Sequence, residues 1–62
     1  MQKYEILARV KFITEAETIN KAVYHLYERI LPKEAYTYDE LTDSIMISYK
    51  YLDSIVIEEI IA

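Results

Sequence analysis

The chain has no cysteine, no glycine and no tryptophan, and it has one proline and one histidine among 62 residues. Without cysteine there is no disulfide framework and no thiolate zinc site, and a single histidine argues against a histidine-rich metal site. We therefore expect neither a metal nor a cofactor. The lack of cysteine fits a reducing compartment, so the predicted location is cytoplasmic. No segment approaches the roughly 20 consecutive apolar residues that cross a bilayer.

A catalytic motif is also missing. Nucleophilic catalysis needs a serine or threonine beside a base, and the one histidine, His25, is predicted on a helix, away from the serines of the second half. The adjacent carboxylates of Asp39 and Glu40, and those of Glu58 and Glu59, would point to opposite faces of their strands. The sequence therefore predicts a protein that is not an enzyme.

The chain is short, and its length predicts a single domain over residues 1–62. A domain of this size buries only about 60% of the surface that its unfolded chain exposes. Its core is therefore marginal, and with no disulfide or metal to assist, self-association is the remaining source of stability. We expect a homo-oligomer, most simply a homodimer.

The first half has a clear pattern. Residues 4–13 alternate between apolar and polar, as a half-buried strand does. Thr14 and Glu17 then match a capping box, which predicts that a helix begins there, and Pro32 predicts its end. The apolar stripe of this helix consists of Ala16, Ile19, Val23, Leu26, Ile30 and Leu31.

After Pro32, β-branched and aromatic residues predict three strands, at residues 35–41, 44–52 and 54–61. The predicted fold class is α+β, in the order β-α-β-β-β, with one helix packed on one face of a three- or four-stranded sheet. One helix covers only one face. Apolar residues on the other face would form an oligomer interface, and the candidates are Met46, Leu52, Val56 and Ile60. The alternative is that these residues are scattered among polar ones and form no patch.

Charge divides the chain into two parts. Residues 1–33 contain six basic and four acidic residues, a net charge of +2, whereas residues 34–62 contain one basic and seven acidic residues, a net charge of −6. An acidic surface repels phosphates and attracts a basic protein, so we expect no direct nucleic-acid binding. Tyrosine suits interfaces, and the predicted partner-binding residues are Tyr36, Tyr38, Asp39, Glu40 and Asp43. Packing of Tyr36 and Tyr38 on Tyr49 and Tyr51 is the alternative role for these rings.

In size, charge and single-domain design, the chain is similar to the small acidic, cysteine-free proteins of phages, which block a host defence or repair enzyme. Small antitoxins have the same general character. The resemblance implies a non-catalytic inhibitor, of phage or mobile-element type, that occupies a basic surface of a host protein such as a nucleic-acid-binding enzyme. Two other classes stay open: a self-assembling structural subunit, and an oligomer that binds a nucleotide or another small ligand.

Overall fold

One helix packs against five short antiparallel strands in the computed structural model, which describes residues 1–62. The predicted α+β class is confirmed. The strands form two sheets, one of three strands in the order β2-β1-β5 and one of two strands, β3-β4. The elements are β1 (Gln2–Leu7), β2 (Lys11–Ala16), α1 (Ile19–Ile30), β3 (Tyr36–Asp39), β4 (Ser44–Ile47) and β5 (Glu59–Ile61), with single 3-10 turns at Lys33–Ala35 and Tyr49–Tyr51.

The predicted first strand, residues 4–13, is instead a hairpin of β1 and β2 with a turn at residues 8–10. The register pairs Gln2 with Ala16 and Leu7 with Lys11, so every pair joins two even-numbered or two odd-numbered residues. Because paired residues face the same side of a sheet, the alternation runs through the turn without a break. The order of elements is therefore β-β-α-β-β-β.

The helix begins one turn later than predicted. Thr14 lies in β2, so it cannot form the expected capping box with Glu17. The N-cap is Thr18, whose Oγ1 accepts a hydrogen bond from the Lys21 amide at 3.1 Å. The predicted end is confirmed, because α1 stops at Ile30, two residues before Pro32.

The core lies between α1 and one face of the β1–β2 hairpin, and it is thin. Only seven of 62 residues are buried. Six of them form one cluster: Tyr4, Ile6, Ala16, Ala22, Val23 and Leu26. Phe12, Tyr27, Ile45, Ile55, Ile57 and Ile60 pack partly buried around that cluster. Ile19 and Ile30, at the two ends of the helix, are exposed despite belonging to the predicted apolar stripe.

The last three strands are shorter than predicted. The strand predicted at residues 44–52 pairs only as Ser44–Ile47, after which the Ser48 amide bonds to the Ala35 carbonyl at 2.6 Å. The strand predicted at 54–61 pairs only as Glu59–Ile61. The Glu58 amide donates a hydrogen bond to the Leu7 carbonyl at 2.8 Å, and Glu59 is the register partner of Leu7. Glu58 and Glu59 therefore both lie opposite Leu7, as in a β-bulge.

The outer face of the three-stranded sheet is covered by no other element. Its centre is Glu5, with Ile13 of β2 on one side and Ile61 of β5 on the other. Both isoleucines are exposed, and Lys11 forms an ion pair with Glu5 at 3.3 Å. The apolar side chains on this face are thus separated by charge. No helix of the chain is both long enough and apolar enough to span a membrane.

Candidate protein-binding site

The loop between β3 and β4 carries Leu41, the most exposed large apolar residue of the chain. Residues 40–43 connect the two strands, and the side chain of Leu41 is 97% exposed. Asp43 closes the loop with a φ of 53°, the left-handed conformation that a glycine would normally take. The chain has no glycine, and aspartate is one of the few other residues that tolerates this conformation. We call residues 39–43 the acidic loop.

Asp43 holds the acidic loop in place. Its Oδ1 accepts hydrogen bonds from the Thr18 hydroxyl at 2.8 Å and from the Tyr38 hydroxyl at 2.7 Å. Its backbone carbonyl accepts a third, from the Asn20 side-chain amide, at 2.7 Å. These bonds tie the loop to the beginning of α1 and to β3. Thr18 therefore has two roles, as the cap of the helix and as an anchor of the loop.

A second connection is ionic. The Lys21 ammonium group forms an ion pair with Glu40 and lies 5.3 Å from the centre of the Tyr38 ring. The hydrogen bond between these two charged groups raises the pKa of Lys21 and lowers the pKa of Glu40. The hydrogen bond to Asp43, followed by burial, raises the pKa of Tyr38.

The predicted contact tyrosines lie beneath the loop. Tyr38 stacks on Tyr24 of α1 with ring centres 4.8 Å apart, and Tyr36 meets Tyr24 edge to face at 5.9 Å. Burial is the main cause of the raised pKa of Tyr24. The register sets Tyr36 opposite Ile47 and Tyr38 opposite Ile45, so the alternative packing on Tyr49 and Tyr51 is wrong. These rings support the loop and are half-buried.

The structure brings three of the five predicted partner-binding residues together. Tyr38, Glu40 and Asp43 line an open groove of about 330 Å³ between the acidic loop and the beginning of α1. Glu17 and Lys21 line it too, so three carboxylates face one ammonium group. Asp39 is exposed on the outer face of β3, where its Oδ1 accepts a hydrogen bond from the Leu41 amide at 3.0 Å. No group of three acidic or histidine side chains is placed to hold a metal ion.

The four predicted oligomer residues lie on four different parts of the second half. Met46 and Val56 are 69% and 67% exposed, and Leu52 is exposed as well. Met46 belongs to β4, Val56 to the segment before β5, and Leu52 to the end of a 3-10 turn. Ile60 differs from the prediction, because it pairs with Ile6 and packs partly buried against the core.

Sequence reasoning missed Leu41, Thr18 and Lys21. Leu41 was placed in a strand predicted to run from residue 35 to 41, although β3 ends at Asp39. The available signal was the absence of glycine, which leaves Asp43 as a residue able to adopt positive φ and to close a turn. Comparisons with protein-family models, curated proteins and solved structures find no significant match.

Proposed function

We propose that the protein is a non-catalytic binding module that occupies a basic surface of another protein, and that the acidic loop makes the contact. The observation that carries this proposal is the presentation of Leu41, which is 97% exposed on a loop fixed by Asp43. An exposed leucine alone is common on protein surfaces. Here the leucine lies on a loop that hydrogen bonds connect both to the start of α1 and to β3.

A fixed loop favours binding because little conformational freedom remains to be lost. Ordering a flexible side chain or loop opposes association, and a preorganised loop avoids most of that cost. Three anchors of this loop come from α1 and β3 and are supplied by Thr18, Asn20 and Tyr38. Leu41 would therefore act as the apolar anchor in a pocket of the partner, the role expected earlier of Tyr36 and Tyr38.

The charges around Leu41 indicate the chemistry of the partner. Asp39 and Glu40 are exposed at the start of the loop, directly before Leu41, and the second half of the chain has a net charge of −6. Such a surface accelerates encounter with a basic protein and repels nucleic acid. The proposed partner is a protein with a basic surface, such as a nucleic-acid-binding enzyme, in the cytoplasm. The proposed consequence is inhibition of that protein, by a small inhibitor of phage or mobile-element type.

The alternative of a nucleotide-binding oligomer gains no support from the site. A base would need an open aromatic face, and the face of Tyr38 is taken by Tyr24 on one side, with Lys21 also near the ring. The three carboxylates of the groove would repel phosphates as well.

The test is capture of host proteins on the immobilised chain, followed by affinity measurement with each captured protein after purification. Leu41→Ser should increase the dissociation rate, with a loss of about 30-fold in affinity if Leu41 is a binding hot spot. Asp39→Asn keeps an acceptor for the Leu41 amide and leaves the Lys21–Glu40 ion pair in place, and it should instead lower the association rate and reduce its dependence on salt. Asp43 is left unchanged, because its replacement would disturb the loop itself.

The matched control is Glu59→Gln, which makes the same change in net charge at an exposed position of β5. This control should retain the affinity of the unaltered chain. Equal affinity of all three variants for every captured protein would contradict the proposed function.

A further inference from the structure

An apolar hollow lies at the end of the molecule where α1 finishes. It has a volume of about 210 Å³. Its walls come from the β1–β2 turn, the end of the helix and the segment that leads to β5, and they consist of Val10, Ile30, Leu31 and Ile55, with Arg9 and Ser54. No function described above uses this hollow.

The hollow and the acidic loop lie at opposite ends of α1. The loop is bonded to Thr18 at the N-cap, whereas Leu31 at the C-cap lines the hollow. At 1.5 Å per residue, these two caps are about 20 Å apart. One copy of the chain therefore cannot place its own loop in its own hollow, but it can place the loop in the hollow of a second copy.

The two ends match in size and in charge. An engineered apolar cavity of about 150 Å³ admits benzene, so a hollow of this volume accommodates the smaller side chain of Leu41. Arg9 lines the hollow, and Arg29 precedes the wall residue Ile30 on an exposed part of the helix. These guanidinium groups complement Asp39 and Glu40 beside Leu41, of which Glu40 is also paired with Lys21 of its own copy. The carboxylates that oppose the guanidinium groups are Glu28, next to Arg29, and Asp53, next to Ser54.

We propose that the chain self-associates head to tail, with the acidic loop of one copy inserted into the apolar hollow of the next. Such a contact joins two different surfaces, so it produces closed rings or open chains in place of the symmetric dimer expected from the sequence. The contact is small, which makes the association weak and dependent on concentration. It needs no foreign partner, so its test is independent of the proposed function, although a partner that binds the loop would compete with it.

Sedimentation velocity tests the inference with two variants that disable opposite ends. Leu41→Asp removes the inserted side chain and Val10→Asp blocks the hollow, and both positions are exposed enough to leave the fold intact by circular dichroism. The unaltered chain should form species larger than a dimer as its concentration rises towards about 1 mM, the range of a weak contact. Each variant alone should stay monomeric, and an equimolar mixture should form a dimer and nothing larger.

That mixture is decisive because the intact loop of Val10→Asp can enter only the intact hollow of Leu41→Asp. The two surfaces left over in that dimer are the altered hollow and the altered loop, so no further copy can bind. Met46→Asp, at an exposed position outside both surfaces, is the control and should assemble like the unaltered chain. If Val10→Asp does not fold, Arg9→Glu takes its place. A monomeric unaltered chain at about 1 mM, association of either variant alone, a monomeric mixture or a monomeric Met46→Asp would each overturn the inference.

Discussion

The two halves of the molecule are stabilised in different ways. Residues 2–30, which form β1, β2 and α1, contain six of the seven buried residues, whereas the remainder of the chain contributes only Ala35. The second half is connected to the first by the backbone pairing of β5 with β1, by side-chain hydrogen bonds to Asp43, by the ion pair of Lys21 with Glu40 and by tyrosines that pack on α1. Partly buried isoleucines, such as Ile45, add apolar contact.

This difference between the two halves follows from the short length of the chain. A short chain has too few apolar residues to bury a core under every element. The second half, whose isoleucines reach the core only partly buried, therefore depends on directed polar contacts as well. Apolar burial tolerates small shifts in position, whereas hydrogen bonds require defined distances and angles. The second half is therefore the half whose surface geometry is defined by particular residues. This property suits a binding loop.

The largest expected effect comes from breaking the first half. Leu26 is completely buried at the centre of the core. Leu26→Ala removes its contacts and leaves a cavity, with an expected loss of about 2–5 kcal/mol in the free energy of unfolding. Because both sheets pack on α1, the whole chain should unfold together. Urea unfolding followed by circular dichroism measures the loss.

The control for this change is Ile19→Ala, an exposed apolar residue of the same helix, which should alter stability by no more than about 0.5 kcal/mol. Equal losses from the two substitutions would show that the core does not dominate the first half.

Much of the first half could be predicted from the sequence because apolar periodicity governs it. The helix follows from the spacing of its apolar residues, and its end follows from Pro32. The β1–β2 turn could not be found in this way, because a three-residue connection preserves the alternation and contains no glycine, proline or asparagine. The false capping box had the right residue types, but the pairing of Thr14 with Tyr4 in the sheet took precedence over local propensity.

A smaller and more local effect is expected from Asp43, which connects the two halves. Asp43→Ala leaves the Thr18 and Tyr38 hydroxyls without their acceptor, at a cost of about 1–3 kcal/mol. It also places alanine at a φ of 53°, which adds about 1–2 kcal/mol. Amide hydrogen exchange should become faster in β3 and β4 and change less in β1 and β2.

Asp43→Asn is the matched control. Asparagine tolerates positive φ and its amide oxygen can accept both hydroxyl hydrogen bonds, so most of the lost stability should return. If both substitutions were equally harmful, the negative charge and not the acceptor would hold the loop. If neither changed exchange in β3, the second half would not depend on Asp43.

The candidate site was only partly predictable for the same physical reason. Local charge and tyrosine content pointed to residues 36–43, and Tyr38, Glu40 and Asp43 do meet in one groove. Thr18 is 25 positions from Asp43 and Lys21 is 19 positions from Glu40, and no periodic pattern reveals such contacts. The exposure of Leu41 depends on where β3 ends, which is among the least reliable features of a sequence prediction.

The smallest expected effect comes from removing the ionic connection alone. Glu40→Gln removes the ion pair with Lys21 but keeps a side chain of the same shape. Because folding lowers the pKa of Glu40 from its usual 4.5, its contribution to stability is present above pH 4.5 and is lost as pH falls through the lowered pKa. Because folding raises the pKa of Lys21 from its usual 10.5, the contribution is present below pH 10.5 and is lost as pH rises through the raised pKa.

The difference in urea midpoint between the unaltered chain and Glu40→Gln should therefore be present near neutral pH and disappear at both extremes. Glu40 is well exposed, so the difference should be smaller than that caused by Asp43→Ala, and added salt should reduce it further. Glu59→Gln, an exposed carboxylate of β5 with no ion pair, controls for the loss of one negative charge. An identical pH profile for the two glutamine variants would show that the ion pair contributes nothing, leaving Asp43, the tyrosine packing, the pairing of β5 with β1 and the partly buried isoleucines as the connections between the halves.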